Sequence, residues 1–244
     1  MEKRKRSIVF YLPFLYTGFI HDNKEFPSHE KATVSASDPD PLSAPCRLRK
    51  KNEGVVASLP DGSSGAGQKI LILYYSSANT NGVDVVSAAT PYFDGVAATK
   101  LLALDIQKLV GGDLATLTPE RDYPESYNDT TAAAKKERDG DQSPAFVPLE
   151  ADSADYDVIF VGYPIWWYTL PMLFYTFFDQ YDLSGKVIVP FNTHAGSGDG
   201  GTYGEIVQFE PNATVLQGLA VSGKHANKAE ADVKEWLAEL GFSV

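Results

Sequence analysis

Beyond about Gln68 the chain alternates between two hydrophobic rhythms. Lys69-Ile70-Leu71-Ile72-Leu73-Tyr74-Tyr75 is a continuous apolar run bounded by polar residues, as expected of a strand covered on both faces. Val158-Ile159-Phe160-Val161 and Val187-Ile188-Val189-Pro190-Phe191 repeat that pattern, so strands are predicted over Asp157–Val161 and Lys186–Phe191. Further strands are predicted over Asp113–Thr118 and Ala213–Val221. Between these runs the apolar spacing becomes helical. One helix begins at Ala97, carries Leu101, Leu104, Ile106 and Leu109, and stops at Gly111-Gly112. Others are predicted over Asn128–Arg138, over Leu170–Tyr181 with Pro171 in the first turn, over roughly 202–209, and over Ala226–Leu240. The last is amphipathic, with Ala229, Val233, Trp236, Leu237 and Leu240 on one face. Asn81 to Val96 reads as an irregular insertion between the first strand and the first helix.

Strands alternating with helices predict an α/β fold, a doubly wound five-stranded parallel sheet with strand order 2-1-3-4-5. In such sheets ligands bind beyond the carboxyl ends of the strands, where the order reverses. Strands one, three and four are neighbours in this order, and each is followed by an unusual loop. After strand one comes the hydroxyl-rich Ser76-Ser77-Ala78-Asn79-Thr80. After strand three comes Gly162-Tyr163-Pro164-Ile165-Trp166-Trp167-Tyr168-Thr169-Leu170-Pro171, two prolines flanking consecutive aromatics. A turn alone would use Gly, Asn or Asp there; large flat side chains suggest a platform for a flat ligand. After strand four comes Asn192-Thr193-His194-Ala195-Gly196-Ser197-Gly198-Asp199-Gly200-Gly201, rich in backbone donors. Three loops converging on one rim point to a single site.

Composition divides the chain in two. Residues 1–67 are expected to be an N-terminal leader and linker without a fold, and 68–244 a folded domain. Lys3-Arg4-Lys5-Arg6 and the apolar Ser7–Ile20 have the order of a secretory leader. Pro13 interrupts the apolar run, which is shorter than a membrane-spanning helix needs, and no small-residue cleavage site follows. A cytoplasmic protein with a disordered leader, and export or membrane anchoring through residues 3–20, are both open on this evidence. Net charge is −11 over 244 residues. Residues 1–67 carry ten Lys/Arg against eight Asp/Glu, which leaves 11 against 24, or −13, for residues 68–244. A domain so acidic has no basic stripe to neutralise phosphates, so nucleic acid is not an expected partner. Basic protein partners are favoured by steering. One cysteine, Cys46, excludes an internal disulfide, and His21, His29, His194 and His225 show no metal-ligand spacing, so no metal is expected.

Tyr74-Tyr75-Ser76-Ser77, Gly162-Tyr163-Pro164-Ile165-Trp166-Trp167, Ser184-Gly185-Lys186 and Pro190-Phe191-Asn192-Thr193-His194-Ala195-Gly196-Ser197-Gly198 occur in that order. On these motifs residues 68–244 resemble the flavodoxin family, in particular a branch with a double-Trp loop and a Thr-His-x-Gly-Ser-Gly loop. The resemblance implies FMN as cofactor. It implies a phosphate cradle from Ser76, Ser77 and the turn Ala97-Ala98-Thr99. Pro164, Ile165, Trp166 and Trp167 would lie against the flavin ring, with Thr193, His194, Gly196 and Ser197 as the opposite wall. Tyr123 would border the pocket. Two departures stand out: the insertion splits the phosphate loop, and Ala97-Ala98 replaces the Gly-Asn expected before the threonine. A backbone cradle needs N–H groups rather than particular side chains, so binding is expected to survive. The plainer alternatives are a hydrophobic rim plug for the tryptophans, a solvent-facing His194 and an ordinary helix cap for Thr99. No catalytic residue is assigned. Three functions stay open: a one-electron carrier with a redox partner protein, an FMN-dependent NAD(P)H quinone or nitro reductase, and a non-catalytic flavin-binding or membrane-tethered interaction protein.

Overall fold

The central strands are built from residues that water would reject on both faces. β1 (Ile70–Tyr74), β5 (Val158–Pro164) and β6 (Val187–His194) are buried almost throughout, and they lie side by side in parallel. The computed structural model describes residues 54–59, 67–76, 92–124 and 126–244, all within one unit, Leu48–Val244. The leader over residues 3–20 and Cys46 lie outside the described residues.

β4 (Asp113–Thr116) flanks β1 on the other side, giving the parallel order β4-β1-β5-β6. Beyond β6 lie two short strands, β7 (Thr214–Val215) and β8 (Leu219–Ser222), pairing with its first and second halves respectively. Taken as one interrupted strand, β7 and β8 complete the expected 2-1-3-4-5. The expected single strand over 213–221 breaks for two reasons. Pro190 of β6 has no N–H to give to a ladder. At Gly218 a Cβ would sit 2.4 Å from the Tyr203 ring and 2.7 Å from the Pro190 carbonyl oxygen, so the chain passes too close to pair regularly.

Alternate residues of β1 serve opposite cores, as the two-residue period of a strand requires. Ile70, Ile72 and Tyr74 pack with α1 (Ala98–Val110) and α5 (Glu230–Glu239). Leu71, Leu73 and Tyr75 pack with α3 (Leu173–Gln180) and α4 (Thr202–Phe209). The polar α2 (Tyr127–Asp139) lies in the long connection from β4 to β5, its N-terminus capped by Ser126 Oγ, which accepts from Asp129 N at 3.1 Å. The helix expected over 226–240 begins instead as a 3-10 turn, Gly223–Lys228, before α5.

Two features were not expected. The end of the insertion is a small antiparallel hairpin, β2 (Tyr92–Phe93) with β3 (Val96–Ala97), turned by Asp94 and Gly95 at φ 49° and 81°. Residues 54–59, in the stretch of linker composition, lie along the β7 edge: Val56 N donates to Val215 O at 2.8 Å, and Gln217 N donates to Val56 O at 2.7 Å. Leu59 is buried, and its N–H donates to Leu240 O at 2.9 Å. Among the described residues no helix is long and apolar enough to cross a membrane, and no cluster of His, Cys, Asp and Glu is arranged to hold a metal ion.

Candidate functional site

The loops following β1, β5 and β6 meet at the carboxyl rim of the sheet, and hydrogen bonds tie them together. β5 and β6 run in register to Pro164 opposite Thr193, and Ile165 N then donates to Thr193 O at 2.8 Å. Thr193 is fully buried and its hydroxyl lies 2.8 Å from that of Thr99, in the first turn of α1. That bond joins the helix expected to cradle a phosphate to the loop expected to wall the ring. Ala97 ends β3 and Ala98 begins α1, both buried. Ser76 follows β1 and is half-buried; Ser77 and the insertion residues 81–91 lie outside the described residues.

The double-Trp loop is a tight turn. Trp166 N donates to Thr169 O at 3.0 Å, and Thr169 N to Trp166 O at 3.1 Å. Trp167 and Tyr168 between them have φ of 52° and 67°, the pattern of a type I′ turn made without glycine. The turn sends the two tryptophans different ways. Trp166 meets Tyr75 and Tyr123 edge-on, with ring centroids 5.5 and 5.0 Å apart. Trp167 turns outward to α2, where its Nε1 donates to Thr131 O at 2.9 Å. Arg138 Nη1 donates to Trp167 O at 3.2 Å, and the guanidinium lies 5.4 Å from the Trp167 ring centre. Tyr123, in turn, donates to Glu137 Oε2 at 2.8 Å; burial pushes the Glu137 carboxyl above the usual carboxylate range and its tyrosine partner well above the ordinary phenol.

The loop after β6 is shaped from beneath by Asn192. This fully buried amide donates through Nδ2 to Gly198 O at 3.0 Å and accepts from Tyr203 OH at 2.7 Å. His194 is half-buried, and its Nδ1 accepts from Gly196 N at 2.9 Å. Gly196 is exposed, with open space where a Cβ would stand, and Ser197 is half-buried. Gly200 packs against the Trp turn: a Cβ there would lie 2.9 Å from Tyr168 O.

A carboxylate ties the Trp turn to α3 and α4. Glu205, in the first turn of α4, accepts from Thr169 Oγ1 at 2.8 Å and from Tyr175 OH at 3.1 Å. Burial raises its pKa, against the opposing pull of those two hydroxyls. Neither Glu205 nor Asn192 carried a signal in the sequence. An acidic residue near a helix start reads as a dipole partner, and a lone Asn at a strand end reads as a turn residue.

Of the expected residues, the structure brings together Thr99, Pro164, Ile165 and Thr193 directly, with Trp166 beside Tyr75. Trp167 faces α2. His194 and Gly196 bond to each other. The assembly offers buried hydroxyls, open backbone at Gly196, an aromatic cluster at the Trp turn and the N-terminus of α1. Those are the donors and surfaces a planar, phosphate-bearing ligand requires.

A family profile described as flavodoxin matches residues 87–240. No curated protein matches the chain. Among solved structures, a candidate flavoprotein from Bacteroides eggerthii is 26% identical, over 71% of this chain and 98% of its own, with a TM-score of 0.56. Another from Bacteroides uniformis is 24% identical over 70% and 99%, with a TM-score of 0.56. A flavoprotein of Lactobacillus acidophilus in complex with FMN is 23% identical over 66% and 97%, with a TM-score of 0.47.

Proposed function

This chain belongs to the flavodoxin family, and on that premise we propose that it binds FMN at the carboxyl rim of its sheet and serves in electron transfer. FMN is the family's cofactor, and the likeness to a candidate flavoprotein at 26% identity supports the same reading. The observation that carries it is the hydroxyl bond between Thr99 and Thr193, which draws the N-terminus of α1 to the loop after β6. The donor set fits the cofactor. The N-cap residue, Ala97, has no side-chain group to cap α1 and the first turn holds no acidic residue, so the N–H groups of Ala98 and Thr99 suit a phosphate. The Thr99 and Thr193 hydroxyls use part of their bonding capacity on each other, which leaves the backbone N–H groups as the main phosphate donors.

In this reading Ser76, Ser77, Ala97, Ala98 and Thr99 hold the phosphate. Pro164, Ile165 and Trp166 flank the ring. Thr193, His194, Gly196 and Ser197 form the other wall. Trp167 acts one step back, fastening the turn to α2. When bound, FMN supplies the redox chemistry. The protein's own part is to hold the ring in a partly apolar rim and to present an edge to a partner. The charge of −13 over residues 68–244 supports a basic redox protein as that partner, because opposite potentials speed encounter.

Two measurements test this. Titrating the full chain with FMN is expected to give one-to-one binding with strong quenching of tryptophan fluorescence; no binding would overturn the cofactor assignment. Holoprotein mixed with NADPH and a quinone, with air excluded, is expected to keep its flavin colour until a reductase is added. Rapid bleaching without one would make the protein a reductase rather than a carrier.

A further inference from the structure

Thr169, Tyr175 and Glu205 form a closed triangle of oxygens. Thr169 Oγ1 lies 2.8 Å from Glu205 Oε2, Tyr175 OH lies 3.1 Å from the same oxygen, and the two hydroxyls are 2.9 Å apart. Its corners come from three parts of the site: Thr169 closes the Trp turn, Tyr175 belongs to α3, and Glu205 belongs to α4, which begins where the Gly/Ser loop ends. We propose that Glu205 is a positioning residue, a hydrogen-bonded clasp that fixes the Trp166–Thr169 turn against the Gly/Ser loop so that the two walls of the flavin site keep their spacing. The proposal rests on the FMN reading above.

Counting hydrogens shows why the clasp responds to protons. The two hydroxyls bring two hydrogens to three short contacts. With Glu205 ionised, both go to its carboxylate and the Thr169–Tyr175 contact has none. With Glu205 protonated, three hydrogens serve three contacts. Burial also disfavours the anion. The titratable groups around the cluster are Tyr175 of α3, Tyr163 of β5, Asp199 of the loop leading into α4, and Asp141 just past α2. Burial keeps both tyrosines protonated well beyond the ordinary phenol range, so neither titrates in the window where Glu205 does. The two hydroxyls favour the carboxylate and burial the neutral acid; both forms keep the bonds to Glu205, and protonation adds the hydrogen that the Thr169–Tyr175 contact lacks.

The test uses the full chain with three substitutions, Glu205→Gln, Glu205→Ala and Thr169→Val. Amide exchange across residues 165–169 is read on apoprotein, each variant against wild type at the same pH, and FMN affinity is read separately. Near neutral pH, Glu205→Ala and Thr169→Val are expected to speed exchange in the turn and to weaken FMN binding about tenfold, the factor for losing one strong buried hydrogen bond. Glu205→Gln, which imitates the neutral acid, is expected to do neither. Turn exchange unaltered in both Glu205→Ala and Thr169→Val would overturn the clasp, as would a Gln variant no better than Ala at any pH. Absence of FMN binding by wild type would sink the cofactor reading alone, because the exchange readout does not depend on it.

Discussion

Trp167 and Tyr168 occupy a backbone region that L side chains avoid, where Cβ crowds the following carbonyl, at about 1–2 kcal/mol per residue. Such a conformation persists only where its surroundings impose it. Here they do so from both sides: Trp167 is tied to Thr131 and Arg138, and Thr169 to Glu205. Tyr168 is 72% exposed, so its ring contributes little burial to offset the strain. Tyr168→Gly is accordingly expected to stabilise the fold by about 1 kcal/mol, read as a higher unfolding midpoint. A lower midpoint would mean that the ring makes contacts worth more than the backbone strain. That consecutive aromatics would gather in the loop after a buried strand was legible from the chain. Which of them turned inward was not, because a two-residue turn decides it and its usual Asn-Gly signature is absent.

At the level of elements, α3 and α4 meet the Trp turn through a half-buried carboxyl, and this ties their packing to pH. The native pKa of Glu205 is raised, first by burial. A carboxyl with a raised native pKa contributes stability that is full below its ordinary value of 4.5 and is lost as pH rises through the native value. Glu137, on α2, is shifted the same way, again by burial. Thermal stability is therefore expected to fall from mildly acidic pH upward, and Glu205→Gln to remove part of that slope. An identical slope in the variant would show that Glu205 contributes nothing to it. The helices themselves were readable from spacing, α4 to within its ends, whereas the β2–β3 hairpin was not. Its Asp94-Gly95 turn is a hairpin signal, but two-residue strands are too short to show alternation. The break between β7 and β8 escaped notice for a related reason. It follows from Pro190 and the Tyr203 ring, on other elements, rather than from anything within 213–221.

Across the whole molecule the sheet ends in an edge that upstream chain covers. Residues 54–59 hydrogen-bond along β7 and bury Leu59 beside Leu240 and Phe242 in the α1/α5 core. Covering an edge removes a template for unwanted pairing, and filling a core position stabilises directly. Leu59→Ala is expected to cost about 2–3 kcal/mol in denaturant unfolding, as for other buried leucines. A loss well under 1 kcal/mol would mark the segment as an ornament of the domain. The parallel sheet and its order were legible from the chain, since burial on both faces forces continuous apolar runs and connection rules leave few ways to join them. The sequence stretches on which the flavodoxin resemblance rested were equally local. The closing contacts were not: Thr99 with Thr193 across 94 residues, Thr169 with Glu205 and Trp167 with Thr131 across 36 each. Hydrogen bonds between hydroxyls, a carboxyl and carbonyls leave no periodic trace, because each depends on the angle at which two separately folded loops arrive, and packing alone sets that angle.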